Sequence, residues 1–129
     1  MTITLATLAK ATEQQIFDQV ARHLLKQKVR AVNTVDACKY RTENGLMCAA
    51  GCLISDEEYD PMFETFGSWA SVVRASRATS VHEYFITQLQ QMHDTKPSKD
   101  QPVDFVARLE QFANKHHLQF NLEALTNAS

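Results

Sequence analysis

The stretch CKYRTENGLMCAAGCLISDEEYDP, residues 38–61, holds all three cysteines of the chain, two of its three glycines and five carboxylates. It is either a reactive or metal-binding site or a tightly folded structural insert. CKYR and LMCA flank TENG, which is a hairpin signal. Two registers compete. A two-residue Asn44-Gly45 turn pairs Arg41 with Cys48 and sends Cys38 and Cys48 to opposite faces. A three-residue Glu43-Asn44-Gly45 turn pairs Tyr40 with Cys48, and the two thiols then share a face. The second is favoured, because Glu-Asn suits a type I turn and glycine suits the left-handed position after it. CAAGCLI then reads as a short buried helix, packed closely through Ala49, Ala50 and Gly51. Ser55 and Glu58 form a capping-box pattern, so a helical turn is expected from Asp56. Asp60 and Pro61 mark the next start.

Outward from this stretch the pattern is helical. Thr12 and Gln15 form a capping box, which satisfies free N–H groups at a helix start. Ile16, Phe17, Val20, Ala21 and Leu24 then share one face of EQQIFDQVARHLLKQ. The helix should fade near Gln27. Residues 28–37 have β-branched residues without a helical period and read as a connector or edge strand. Phe63, Phe66 and Trp69 supply aromatic mass. Ser68 is placed to cap SWASVVRAS. Ser80 and Glu83 predict the start of VHEYFITQLQQMH, with Val81, Tyr84, Phe85, Leu89 and Met92 on its apolar face. TKPSKDQ is the clearest loop. Pro102 is expected to open VDFVARLEQFANKHH, with Val103, Val106, Leu109 and Phe112 inward. The fold class expected is mainly α (α+β): a small helical domain with one short β-hairpin around residues 37–49. Residues 1–129 make a single domain, with 1–10 and 124–129 frayed.

Composition narrows the classes. The chain has 129 residues, 44% hydrophobic and 22% charged, which suits one globular domain with its own core. A net charge of -2 argues against general nucleic-acid binding, which needs a strongly basic surface. MTITLATLAK has neither a basic leader nor a sustained apolar run, so no signal peptide is expected. No run approaches the ~20 apolar residues of a membrane helix. Three cysteines, an odd count, point to a reducing cytoplasm.

Metal chemistry would draw on Cys38, Cys48 and Cys52, with a fourth ligand from His82, His93, His116 or His117. The spacing lacks a Cys-x-x-Cys pair, and CAAGC lies in an apolar run. Buried thiols acting as small hydrophobes are therefore the favoured reading, with no metal and no cofactor. A catalytic thiol needs a positioned base, and spacing pairs no histidine with any cysteine. His23 and His93 read as rim residues of amphipathic helices. His116 and His117 fall at a helix end, where a cation offsets the dipole. Asp56, Glu57, Glu58, Asp60 and Glu64 read as helix-start acids rather than a cation site. Phosphate-loop, GxSxG and HExxH patterns are absent, so no catalytic residue is assigned.

Charge placement is more informative. Arg22, Lys26, Lys28, Arg30, Lys39 and Arg41 make up about half of the 13 basic residues, and the acidic cluster follows directly. Adjacent surfaces of opposite sign steer and orient partners.

YRTENGLMCAAGCLISDEEYDPMFE resembles a signature, roughly YR-x-GLxCAxGCLIxDxxYDPxxE, of an uncharacterised family of small proteins of bacteria and their phages. The similarity extends to IFDQVARHLLKQ and, more weakly, to the helix ending QMHD, about half to two-thirds of the chain. Ser55 stands where the signature has proline; both suit a helix start. The resemblance implies no activity. It marks the stretch as either a folding nucleus or a functional surface. The expectation is a cytoplasmic, macromolecule-binding protein, phage-encoded and directed at a host protein. Arg30, Lys39, Tyr40, Arg41, Glu57, Glu58 and Tyr59 are its expected contacts. The rivals are a zinc or thiol site on Cys38, Cys48 and Cys52, and a small-ligand or nucleotide pocket under the hairpin using Tyr40, Arg41 and His93.

Overall fold

The computed structural model describes residues 2–33, 37–98 and 101–127. Six α-helices carry the chain: α1 (Glu13–Gln27), α2 (Phe63–Phe66), α3 (Trp69–Ser76), α4 (Glu83–Asp94), α5 (Phe105–His116) and α6 (Leu122–Asn127). The fold is mainly helical, with no sheet among the described residues.

α1 starts where expected. Thr12 accepts from the Gln15 N–H while the Gln15 side chain accepts from the Thr12 N–H. Its buried stripe is Ile16, Phe17, Val20, Ala21 and Leu24, each 0% exposed. Burying a large apolar side chain is worth about 1.5–3 kcal/mol, so this stripe anchors the core. α1 packs against α5, α6 and the 3₁₀ turn Gly51–Leu53, and α4 packs between α3 and α5. Phe17 stacks on Phe112 with ring centres 5.9 Å apart, and Phe85 meets Phe112 edge-on at 5.6 Å.

Two apolar faces differ from the sequence reading. α4 begins at Glu83, not Val81, and buries Phe85, Ile86, Leu89 and His93. Val81 and Tyr84 are left 63% and 76% exposed. The buried face runs through Ile86 and His93 rather than through Tyr84 and Val81. In α5 the cap is Asp104, which accepts from the Ala107 N–H at 3.0 Å, so Pro102 lies before the helix. Phe105, Leu109, Phe112 and Ala113 face inward, and Val106 is 40% exposed. TKPSKDQ includes residues 99 and 100, which lie outside the described residues.

The expected hairpin at 37–49 is not formed as paired strands. The described residues carry only two isolated antiparallel bridges, Val32 with Cys38 and Arg41 with Met47. The turn itself is the three-residue form: Thr42 N–H donates to Leu46 O, Cys48 N–H to Tyr40 O, and Gly45 has φ +88°. Side chains replace the rest of the ladder. Glu64 takes the outward N–H groups of Tyr40 and Arg41, and Gln27 takes that of Met47. Lys39 N–H turns away to Ala31 O. CAAGCLI is not an α-helix but the 3₁₀ turn Gly51–Leu53.

The N-terminal segment expected to fray is tied down. Leu5 and Leu8 are buried, and the Gln19 side chain bonds Ile3 through both its N–H and C=O. Near the other end, Leu125 of α6 is buried as well. Residues 128 and 129 lie outside the described residues.

Candidate functional site

Arg41 ties together several parts of the 38–64 stretch. Its Nη1 pairs with Asp56 Oδ1 at 2.7 Å, and its Nη2 donates to Ile54 O at 2.7 Å. The guanidinium lies over the Tyr59 ring, 4.7 Å from its centre. Tyr59 OH donates to Glu64 Oε2 at 2.5 Å. Burial, then this bond and the Glu64 charge, push the phenol up to about 12. Glu64 also accepts from the Tyr40 and Arg41 N–H groups at 3.0 Å each. Charge-assisted bonds of this kind are the stronger ones in proteins.

Glu58 is a second staple. It accepts from Leu5 N–H and Ala6 N–H at 2.9 Å and from Ser55 N–H at 3.0 Å. Partial burial pushes its carboxyl up, but the bonds from Ser55, Leu5 and Ala6 outweigh that and hold it below its ordinary value. Gly51 packs against the same unit: a Cβ there would collide with the Tyr40 carbonyl oxygen.

These bonds revise the expected contact surface. Tyr40 is 8% exposed and belongs to the core. Arg41, Glu58 and Tyr59 are half-buried and bonded within the fold, and Arg30 and Lys39 are half-buried. Arg30 Nη1 donates to Asp94 O at 3.1 Å. Of the expected contacts only Glu57 is exposed.

The cysteines are not brought together as a trio. Cys48 Sγ accepts from Gly51 N–H at 3.2 Å, and burial raises its thiol pKa far above the ordinary range. Cys52 Sγ donates to Ala49 O at 3.1 Å, and burial pushes its thiol up to about 12. Neither has the lowered pKa of a reactive thiol. Cys38 instead meets His93 and Asp94, with one ligand-type atom from each within 4.8 Å of the others.

That meeting does not suit a metal or a catalytic base. His93 Nε2 accepts from Ala31 N–H at 3.0 Å, so its lone pair is taken. The proton then sits on Nδ1, which donates to Asp94 Oδ1 at 2.7 Å. A ligand or base needs a bare nitrogen, and neither is bare. Gln90 completes the arrangement: its Nε2 donates to Asp94 Oδ1 at 2.7 Å and its Oε1 accepts from Ala50 N–H at 2.8 Å. The hub pins α4 to the 31–33 connector and to the Cys48–Gly51 turn. His93, read as a rim residue, is wholly buried. His23 is half-buried, with Nε2 2.7 Å from Met47 O, and burial lowers its pKa. The i, i+3, i+4 spacing of Gln90, His93 and Asp94 was the available signal for the hub.

Charge without internal partners lies elsewhere. Arg22, Lys26 and Lys28, at the end of α1, are exposed and make no ion pair among the described residues. Lys28 holds φ +70° at the helix C-cap. Beside the turn, a cleft of about 590 Å³ is lined by Asn33, Lys39, Arg41, Thr42, Asn44 and Glu64 among others. Tyr40 and His93, expected in such a pocket, do not line it. Compared with known proteins, the chain matches no family model, no curated protein and no solved structure.

Proposed function

We propose that the protein works by binding another protein, through the exposed basic end of α1 rather than through residues 38–64. One observation carries this reading. The signature-like segment commits Arg41, Tyr59 and Glu64 to its own backbone and side chains, and Glu58 to Ser55 and to the N–H groups of Leu5 and Ala6. Arg22, Lys26 and Lys28 keep exposed charges with no ion pair among the described residues. Unmatched charge on an ordered helix attracts and orients a partner of opposite sign. The net charge of -2 argues against general nucleic-acid binding. The resemblance to small bacterial and phage proteins extends the proposal to a phage-encoded factor and a host target. The three cysteines, none in a disulfide, fit a cytoplasmic setting.

The test is affinity capture from bacterial lysate with the wild-type chain and with the double variant Arg22→Glu, Lys26→Glu. A near-stoichiometric partner held by wild type and lost by the variant is expected. Equal capture by both, or none by either, would count against the reading.

A second reading rests on the cleft beside the turn, whose polar lining suits a small polar ligand. It predicts a rise in melting temperature with some member of a metabolite panel. A flat panel would remove it.

A further inference from the structure

We infer that Asn44 and Gly45 form a self-modifying site: the Gly45 backbone nitrogen attacks the Asn44 side-chain amide, and the turn gains a carboxylate without any enzyme.

Sequence and fold select this one position. Of the chain's five asparagines, Asn44 alone precedes a glycine. The other four precede residues with side chains, which crowd the approach to the following nitrogen. Asn44 and Gly45 are both exposed. A Cβ built on Gly45 would meet nothing within 4 Å, so the space beside its backbone is open.

Thr42 prepares the electrophile. Its hydroxyl donates to Asn44 Oδ1 while accepting from Leu46 N–H at 2.9 Å. A donor on Oδ1 draws electrons from Cγ and supports the oxyanion that forms there. Asn44 Nδ2, the leaving group, has no hydrogen bond among the described residues. The nucleophile has one restraint, the bond from Gly45 N–H to Thr42 O at 3.1 Å. That bond lies in an exposed turn without a strand ladder, so opening it costs little.

The Gly45 nitrogen loses its proton to water and bonds to Asn44 Cγ. The Cγ–Nδ2 bond breaks, Nδ2 takes a proton, and ammonia departs from a succinimide ring. Water then opens the ring. Addition at Cγ gives aspartate. Addition at the Asn44 backbone carbonyl gives isoaspartate, whose chain runs through the former side chain.

The product changes the cleft beside the turn, which Asn44 lines together with Lys39 and Glu43. The cleft gains a carboxylate next to the exposed Glu43. Isoaspartate also lengthens the backbone by one atom, which the bond from Thr42 N–H to Leu46 O cannot span unchanged. Tyr40 and Arg41 stay fixed by Glu64, so the change is confined to the turn.

Ageing the full chain at neutral pH tests this, with a synthetic peptide of residues 39–49 beside it. Peptide-mapping mass spectrometry should find the amide-to-acid exchange at Asn44 and not at the other asparagines. Isoaspartate should accompany aspartate, because water opens the ring on either side. The rate in the folded chain should lie within about tenfold of the peptide's, as expected for a turn that opens at little cost. Gly45→Ala, which sets a side chain beside the nucleophile, should slow the exchange about tenfold or more. Asn44→Gln, which carries the amide one carbon further out, should gain no acid and melt like wild type. Protection of the folded chain by about a hundredfold or more over the peptide would overturn the inference. So would aspartate without isoaspartate, exchange elsewhere with Asn44 intact, or an unchanged rate in Gly45→Ala.

Discussion

Two regions of this molecule carry dense charge, and they treat it in opposite ways. In Tyr40–Glu64, Arg41, Glu58 and Glu64 are half-buried and bonded within the fold, while Glu43, Asp56, Glu57 and Asp60 stay exposed. Arg41 reaches a carbonyl, a carboxylate and an aromatic ring, and Glu64 accepts three hydrogen bonds. At the end of α1, Arg22, Lys26 and Lys28 face solvent without ion pairs among the described residues. A charge cluster in sequence is therefore no guide to a contact surface until its hydrogen bonds are known. Where backbone N–H groups have no ladder partner, carboxylates become structural.

The comparison breaks most sharply at Gly51. Gly51→Ala should lose about 3 kcal/mol or more in urea unfolding, because its Cβ would meet the Tyr40 carbonyl and the backbone must shift. Glu64→Ala comes next. It strands the Tyr40 and Arg41 N–H groups and should lose about 3 kcal/mol by the same measurement. A loss near zero would mean that the staple is ornamental and the segment is free to serve a partner.

Glu58→Gln should lose about 2 kcal/mol at neutral pH. Its carboxyl pKa is lowered on folding, so its contribution is present above the ordinary value of 4.5 and lost as pH falls through the lower folded value. The variant should flatten the acid limb of a stability–pH curve there. His23, also lowered by burial, contributes a separate loss as pH drops below 6.5, which should persist in Glu58→Gln.

The exposed region should respond far less. Lys28→Gly should raise stability by about 0.5 kcal/mol through relief of the left-handed φ. Arg22→Glu with Lys26→Glu should change stability by no more than about 0.5 kcal/mol while abolishing capture, which separates binding from folding.

Much of the helical frame was legible. The Thr12 box and the period-3.6 stripe place α1 unaided, since both are local. Ser68 capping α3 is equally local, accepting from Ser71 N–H at 3.2 Å. What failed was phase and distance. The expected inward faces include Tyr84 of α4 and Val106 of α5, which the helices leave exposed, and Val81, which precedes α4. The Arg41–Tyr59–Glu64 circuit and the His93–Asp94–Gln90 hub were hidden for another reason. Their partners lie on other elements, and no periodicity encodes a side chain that bonds a distant backbone N–H. The same gap moved Tyr40 from surface to core.

Glu64 also sets an order of events. The N–H groups of Tyr40 and Arg41 wait for a carboxylate 24 and 23 residues further along. A chain that ends before Glu64 lacks the carboxylate that takes these two N–H groups. Folding and unfolding rates of Glu64→Gln would place that latching before or after the main barrier.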